Sequence, residues 1–135
     1  MPAPATRTEF EIIVHRAERT IEVIYPARPT ADSFGRYDTK IREAITSLGP
    51  QWDCLVDQSA VQALAPELAP RVAELNQWAA ARGMEHTARV LSASAIGELQ
   101  GERILREAGV KKIGSLHKSR ADAWAHLRSL RKPAG

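Results

Sequence analysis

The sequence contains little of several residue types and patterns that would narrow its class. Its single cysteine, Cys54, cannot form a disulfide within the chain and lies in an apolar stretch, so we expect a buried, reduced thiol. Apolar runs fall well short of the roughly 18 to 20 residues that cross a bilayer. The first residues, MPAPATRTEF, lack the apolar core of a secretory signal. We therefore expect a cytoplasmic protein with no membrane span.

What remains is the composition of an ordinary globular domain. Apolar residues make up 44% of the 135 residues and charged residues 26%, far from the low hydrophobicity and high charge of disordered chains. A chain of this length can remove roughly two thirds of its unfolded surface from water, so one conventional core is enough.

The net charge is only +3, but positive charge is concentrated towards the end of the sequence. Within residues 111–132 the lysines and arginines are balanced by Asp122 alone. We predict a basic patch formed by Lys118, Arg120, Arg128 and Arg131. Such a patch attracts nucleic acid, anionic lipid or an acidic protein, but on a terminal helix it is more often a solvated face. We accordingly expect no nucleic-acid partner.

The hydrophobic pattern indicates strands first and then alternating strands and helices. Alternation with period two predicts strands over 8–15 and 20–25, joined as a hairpin. Apolar spacing of three and four, with caps and glycine stops, predicts helices over about 30–48, 66–82 and 95–108, and a last helix opened by Ser119. Further strands are predicted over 52–57, 86–92 and 112–116. The element order is therefore ββαβαβαβα.

This order predicts an α/β fold with a mainly parallel five-stranded sheet, one antiparallel edge strand and about four helices. Three consecutive strand–helix–strand crossovers require parallel neighbours with right-handed connections. Ligands of open parallel sheets bind at the carboxyl ends of the strands. A site is therefore expected in the loops at 57–66, 92–97 and 116–119.

The element order resembles the STAS domain, and within that group the stand-alone SpoIIAA-like proteins related to anti-sigma-factor antagonists. Two further features carry the resemblance together with this order. They are the aspartate that closes the third strand in Leu55-Val56-Asp57 and the last-helix segment from Ser119 to Leu127. It covers about residues 8–131, which we expect to form one domain between flexible termini at 1–7 and 132–135.

The resemblance implies a non-enzymatic regulatory or scaffolding module. Such a module needs no cofactor and binds a protein partner, for example a kinase or an anti-sigma-like regulator, and a homodimer is compatible with it. The predicted partner-binding residues are Asp57, Ser59, Leu64, Pro66, Leu68 and Ser94. In this interpretation Ala63 to Pro70 form an apolar docking segment, and the basic last helix adds long-range attraction.

The family's phosphoswitch motif is missing from this chain. The family pattern places Asp-Ser-Ser/Thr-Gly at the start of the helix after the third strand, where a kinase modifies the serine. The matching region here, Gln62 to Leu68, contains no hydroxyl and no glycine. The nearest hydroxyl is Ser59, which is a candidate phosphosite, although a serine two residues after a strand-ending aspartate is more often a turn-former.

Two other binding functions stay open. A small-ligand or lipid carrier of SEC14-like architecture would hold its ligand between the second and third predicted helices. A degenerate receiver-like domain would use Asp57 as phosphoacceptor, with Ser92 and Lys118 as hydroxyl and lysine. A receiver also needs acidic residues after its first strand to hold Mg²⁺, whereas this chain has His15-Arg16-Ala17-Glu18 in a hairpin.

Catalytic and metal signatures are not found in the sequence. It has no G-x-S-x-G segment and no glycine-rich phosphate loop. The four histidines have no zinc-ligand spacing and are interpreted as scattered surface residues: His15, His86, His117 and His126. We therefore predict neither an enzyme nor a metal site. The three tryptophans, Trp52, Trp78 and Trp124, are predicted to pack in the core.

Overall fold

The computed structural model describes residues 8–91, 103, 106, 109 and 113–131. In chain order the elements are β1 Glu11–His15, β2 Thr20–Ile24, α1 Ala31–Leu48, β3 Trp52–Asp57, a short 3₁₀ helix Pro66–Leu68, α2 Ala69–Ala81, β4 Met84–Val90, β5 Gly114–His117 and α3 Arg120–Leu130. No helix in these ranges is both long and apolar enough to cross a membrane.

The five strands form one sheet in the order β1-β2-β3-β4-β5. β1 runs antiparallel to β2, and every other neighbouring pair is parallel. The prediction of a mainly parallel sheet with one antiparallel edge strand is confirmed. Three α-helices are seen where about four were predicted, since the helix predicted over 95–108 lies outside the described residues except for Arg103 and Arg106, which are helical.

Helices cover both faces of the sheet. α1 and α2 pack on the side chains of Ile21 and Val23, and these elements share the larger core. α3 covers the opposite face over a smaller cluster of Leu55, Ala88, Val90, Ala123, Trp124 and Leu127. A central strand covered on both faces accounts for the burial of Trp52 to Leu55, and the one acid among them, Asp53, is 0% exposed and pairs with Arg131.

Local sequence signals set the ends of the helices. Thr30 caps α1 by accepting a hydrogen bond from the N–H of Ser33, whose hydroxyl accepts in turn from the N–H of Thr30. Gly83 follows α2 with φ +94°, and a Cβ there would come within 2.7 Å of the Pro50 Cα. Glycine is therefore required at the point where α2 turns directly into β4.

The large aromatic side chains and the cysteine lie mostly in the core. Trp52 is 1% exposed and its indole N–H donates to the carbonyl of Arg82 at 3.2 Å, while Trp124 is 4% exposed. Trp78 is half-buried, and the guanidinium groups of Arg42 and Arg82 lie over its ring at 4.9 and 4.6 Å from the centroid. The core prediction is thus confirmed for Trp52 and Trp124.

Candidate functional site

The carboxyl ends of β2, β3, β4 and β5 meet at one edge of the sheet, which we call the carboxyl edge. The N–H of Tyr25 donates to the carbonyl of Asp57 at 3.0 Å, and the N–H of Leu91 donates to the carbonyl of His117 at 2.9 Å. Two of the three loops predicted to form a site, 57–66 and 116–119, are brought to this edge. The third, 92–97, lies outside the described residues together with Ser92 and Ser94.

Asp57 and Ser59 form a closed turn at the carboxyl edge. The Asp57 Oδ1 accepts a hydrogen bond from the Ser59 N–H at 3.0 Å and from the Ser59 hydroxyl at 2.6 Å. Ser59 is exposed and Asp57 is half-buried. The serine has the turn-forming role that the sequence favoured, and its partner is the aspartate side chain. One oxygen of the Asp57 carboxylate is therefore occupied by these two hydrogen bonds.

The connection from β3 to α2 alternates buried anchors with exposed positions. Leu68 is fully buried and Leu64 is 8% exposed, and both belong to the larger core. The prediction that these two leucines face a partner is therefore corrected, because their side chains fill the space between the sheet and α1. Five residues of the connection are exposed: Ser59, Gln62, Ala63, Pro66 and Glu67. Pro66 is thus the only apolar member of the predicted partner-binding set that reaches solvent in the described residues.

The start of α2 carries no hydroxyl group that could serve as a phosphorylation site. Its N-cap position is Leu68, which makes no side-chain capping bond, and Ala69 and Pro70 follow. Helix initiation here depends on the preceding 3₁₀ turn, whose Leu68 N–H donates to the carbonyl of Ala65 at 2.9 Å. The absence of the phosphoserine motif from the sequence thus coincides with an apolar, uncapped helix start.

Comparison with known proteins identifies the fold of this chain. No family model and no curated protein matches the sequence. Two solved structures do match. The crystal structure of an anti-sigma factor antagonist from Mycobacterium paratuberculosis has a TM-score of 0.57 at 15% identity, over 95% of this chain and 99% of that one. The chain has the STAS fold. The NMR structure of the protein TM1081 has a TM-score of 0.58 at 13% identity, over 91% of this chain and 88% of that one.

Within this fold the predicted basic patch is largely neutralised by two acids of the sheet and one of the β1–β2 turn. Arg120 pairs with Glu22, Arg128 with Glu18 and Arg131 with Asp53. The side chains of Glu22 and Asp53 are 0% exposed, so two of these pairs reach into the interior. Lys118 is exposed. Arg120 and Arg128 are exposed as well, so these cations face solvent as predicted. Three of the four are nevertheless paired with acids of their own chain, which leaves less free positive charge than the sequence alone suggests.

Two histidines complete the polar layer beneath α3. The His15 Nε2 lies 3.0 Å from the Glu22 Oε1, and the His86 Nδ1 lies 2.9 Å from the Asp53 Oδ1. Burial by itself would raise the pKa of Glu22, but hydrogen bonds from Arg120 and His15 outweigh it and lower that pKa. Glu22 is therefore an ionised, buried side chain. The sequence interpretation of scattered surface histidines missed this polar layer.

The other two histidines meet at the end of β5. The His117 ring lies 4.9 Å from that of His126 on α3, and the His117 Nε2 lies 2.8 Å from the Ser115 Oγ. Burial and then the neighbouring His126 lower the pKa of His117, so its neutral form is favoured. In the part of the chain that the structure describes, no three histidine, cysteine or acidic side chains come together as a metal-binding group.

Proposed function

We propose that this chain is a non-enzymatic regulatory or scaffolding module that binds a protein partner through the carboxyl edge of its sheet. The observation that carries the proposal is the likeness in fold to an anti-sigma factor antagonist over 95% of this chain. The finer assignment to the stand-alone SpoIIAA-like branch rests on the resemblance in sequence. A kinase or an anti-sigma-like regulator is the kind of partner that this branch implies.

The proposed contact surface is the set of exposed residues in the β3–α2 connection. We call it the edge surface and define it as Ser59, Gln62, Ala63, Pro66 and Glu67. Between these positions the chain is anchored by the buried side chains of Val61, Leu64 and Leu68. An anchored segment loses little conformational freedom when a partner binds, which favours affinity from a small contact area.

Regulation of this surface would differ from the family's usual phosphoswitch. The only hydroxyl in the connection is Ser59, and its oxygen is bonded to the Asp57 carboxylate at 2.6 Å. A phosphate on Ser59 would add about −1.5 to −2 charge beside that carboxylate. Like-charge repulsion would then open the turn and reshape the edge surface. Ser59 therefore stays the candidate phosphosite of this proposal.

The two alternative functions remain predictions. A carrier needs a cavity beside the helix predicted over 95–108, which lies outside the described residues. A receiver-like phosphoacceptor needs a free Asp57 carboxylate, whereas one oxygen of Asp57 already accepts two hydrogen bonds. Neither alternative has an observation in its favour comparable to the likeness of fold.

A pair of matched substitutions tests the proposal. Ala63→Arg places a long cation on the edge surface, and Ala125→Arg places the same side chain on the exposed side of α3. Native mass spectrometry of gently purified protein would identify a co-purifying protein and quantify it for each variant. We expect Ala63→Arg to lose that protein and Ala125→Arg to keep it. Equal retention by both variants would refute the edge surface, and a persistent small bound mass without a protein would favour the carrier.

A further inference from the structure

The outer edge of β1 is open in the described part of the sheet. β1 pairs with β2 along its whole length, from Glu11 to His15, and it has no partner strand on its other side among the described residues. In an antiparallel pair alternate residues direct their N–H and C=O groups away from the neighbour. An edge of this kind is a template for a further strand.

β1 lacks the usual protection of an edge strand. It contains no proline, no lysine and no bulge, and its register with β2 is unbroken. Its three central residues, Ile12, Ile13 and Val14, are consecutive β-branched apolar side chains that are only half-buried. A second strand along this edge would remove the rest of their apolar surface from water.

The charges on β1 favour one sequence and one orientation for a strand that pairs with its open edge. Glu11 stands at one end, and His15 with the exposed Arg16 stands at the other. A parallel copy of this segment would place like charges opposite each other. An antiparallel copy centred on Ile13 places Glu11 opposite His15 and Ile12 opposite Val14, which pairs acid with base and apolar with apolar.

We propose that β1 pairs antiparallel with β1 of a second copy of this chain, about a twofold axis through Ile13. The two five-stranded sheets then continue across the axis as one sheet. This pairing uses the strand edge of β1, on the opposite side of the sheet order from β4 and β5, and none of the residues that define the edge surface. The proposal therefore does not rest on the partner-binding function.

Two features of the surroundings of β1 fit such a pairing. Ile12 lines a cleft of about 310 Å³ together with Phe10 and Tyr37, and Val14 of the second copy would lie against Ile12 at this cleft. The His15 Nε2 contacts Glu22, while an imidazole has a second ring nitrogen that can meet Glu11 of the second copy. Ile12 and His15 already contact other side chains of their own subunit.

Disulfide trapping tests the register directly. Opposite residues of an antiparallel pair have Cβ atoms about 4.5–5.5 Å apart, which is close enough for a disulfide after a small adjustment. The native Cys54 does not interfere, because burial raises its pKa to about 12. Under mild oxidation we expect Ile13→Cys to form covalent dimers. Ile12→Cys and Val14→Cys should each stay monomeric alone and form dimers when mixed.

Sedimentation equilibrium of the unmodified chain provides the second measurement. We expect a reversible dimer whose dissociation constant rises at least about tenfold in Ile13→Lys, because two lysines would face each other on the axis. Leu130→Lys, a similar exchange at an exposed leucine of α3, should leave the constant unchanged.

Circular dichroism checks that both variants are folded, and Glu11→Lys replaces Ile13→Lys if the latter is not. An unmodified chain that stays monomeric, or an Ile13→Cys variant that oxidises no faster than Ile12→Cys alone, overturns the proposal.

Discussion

Arg120, at the start of α3, donates two hydrogen bonds to the carboxylate of Glu22 in the middle of β2. The Arg120 Nη2 lies 2.9 Å from the Glu22 Oε1, although 98 residues separate the two in sequence. Glu22 is 0% exposed, and a buried carboxylate is costly unless it is paired and hydrogen-bonded. The position of α3 on the sheet is therefore set by ion pairing as well as by apolar contact.

Removal of Arg120 should destabilise the protein more than removal of Arg128. Arg120→Ala leaves the buried Glu22 with His15 as its remaining side-chain partner among the described residues, and we expect a loss of about 1–2 kcal/mol in the free energy of unfolding. Arg128→Ala is the matched control, because Arg128 also lies over the Trp124 ring but pairs with the partly exposed Glu18. Its loss should be clearly smaller, since exposed pairs contribute little. Urea unfolding of both variants measures the difference, and equal losses would contradict a special role for the Glu22 pair.

The lowered pKa of Glu22 predicts a stability loss in acid. A carboxyl group whose pKa in the folded state is below its usual value of about 4.5 stabilises the fold above that value. This contribution is lost as the pH falls through the folded-state pKa. The free energy of unfolding of the unmodified chain should therefore exceed that of Glu22→Gln at neutral pH, and the two curves should converge in acid. Parallel curves over the whole range would show that the charge of Glu22 contributes nothing.

Substitutions at Leu68 and Ala63 should distinguish a core position from a position on the edge surface. Leu68→Ala removes a fully buried side chain and should cost about 2–5 kcal/mol of unfolding free energy. Ala63→Asp changes an exposed position five residues earlier and should stay within about 0.5 kcal/mol of the unmodified chain. Thermal unfolding followed by circular dichroism compares the two. A stable Leu68→Ala variant would restore the original prediction that this leucine faces a partner.

Cys54 should be inert towards thiol reagents in the folded protein. Burial raises its pKa to about 12, and the nearby Asp53 adds to the effect, so almost no thiolate exists near neutral pH. We expect labelling with Ellman's reagent to follow global unfolding and to become fast in urea. Fast labelling without denaturant would show that β3 opens locally, and it would also require a Cys54→Ala background for the trapping experiments.

Most of the architecture could be predicted from local patterns. β3 was predicted at 52–57 and occupies Trp52–Asp57, and α1 begins directly after the predicted cap, Thr30. Agreement is good there because an apolar run and a capping box are properties of neighbouring residues. β5 was predicted at 112–116 but is found at Gly114–His117, since an edge strand of four residues carries little periodicity.

The sequence by itself determined which residues alternate along each strand and where helices start and stop. It did not determine which polar residues would be buried. Period two places Glu22 opposite the apolar face of β2, which predicts solvent exposure, yet α3 covers it and supplies Arg120. Leu64 and Leu68 show the converse, since two leucines predicted to lie in a docking segment belong to the larger core. Whether a side chain is buried depends on what a distant segment brings against it, and only the tertiary structure decides that.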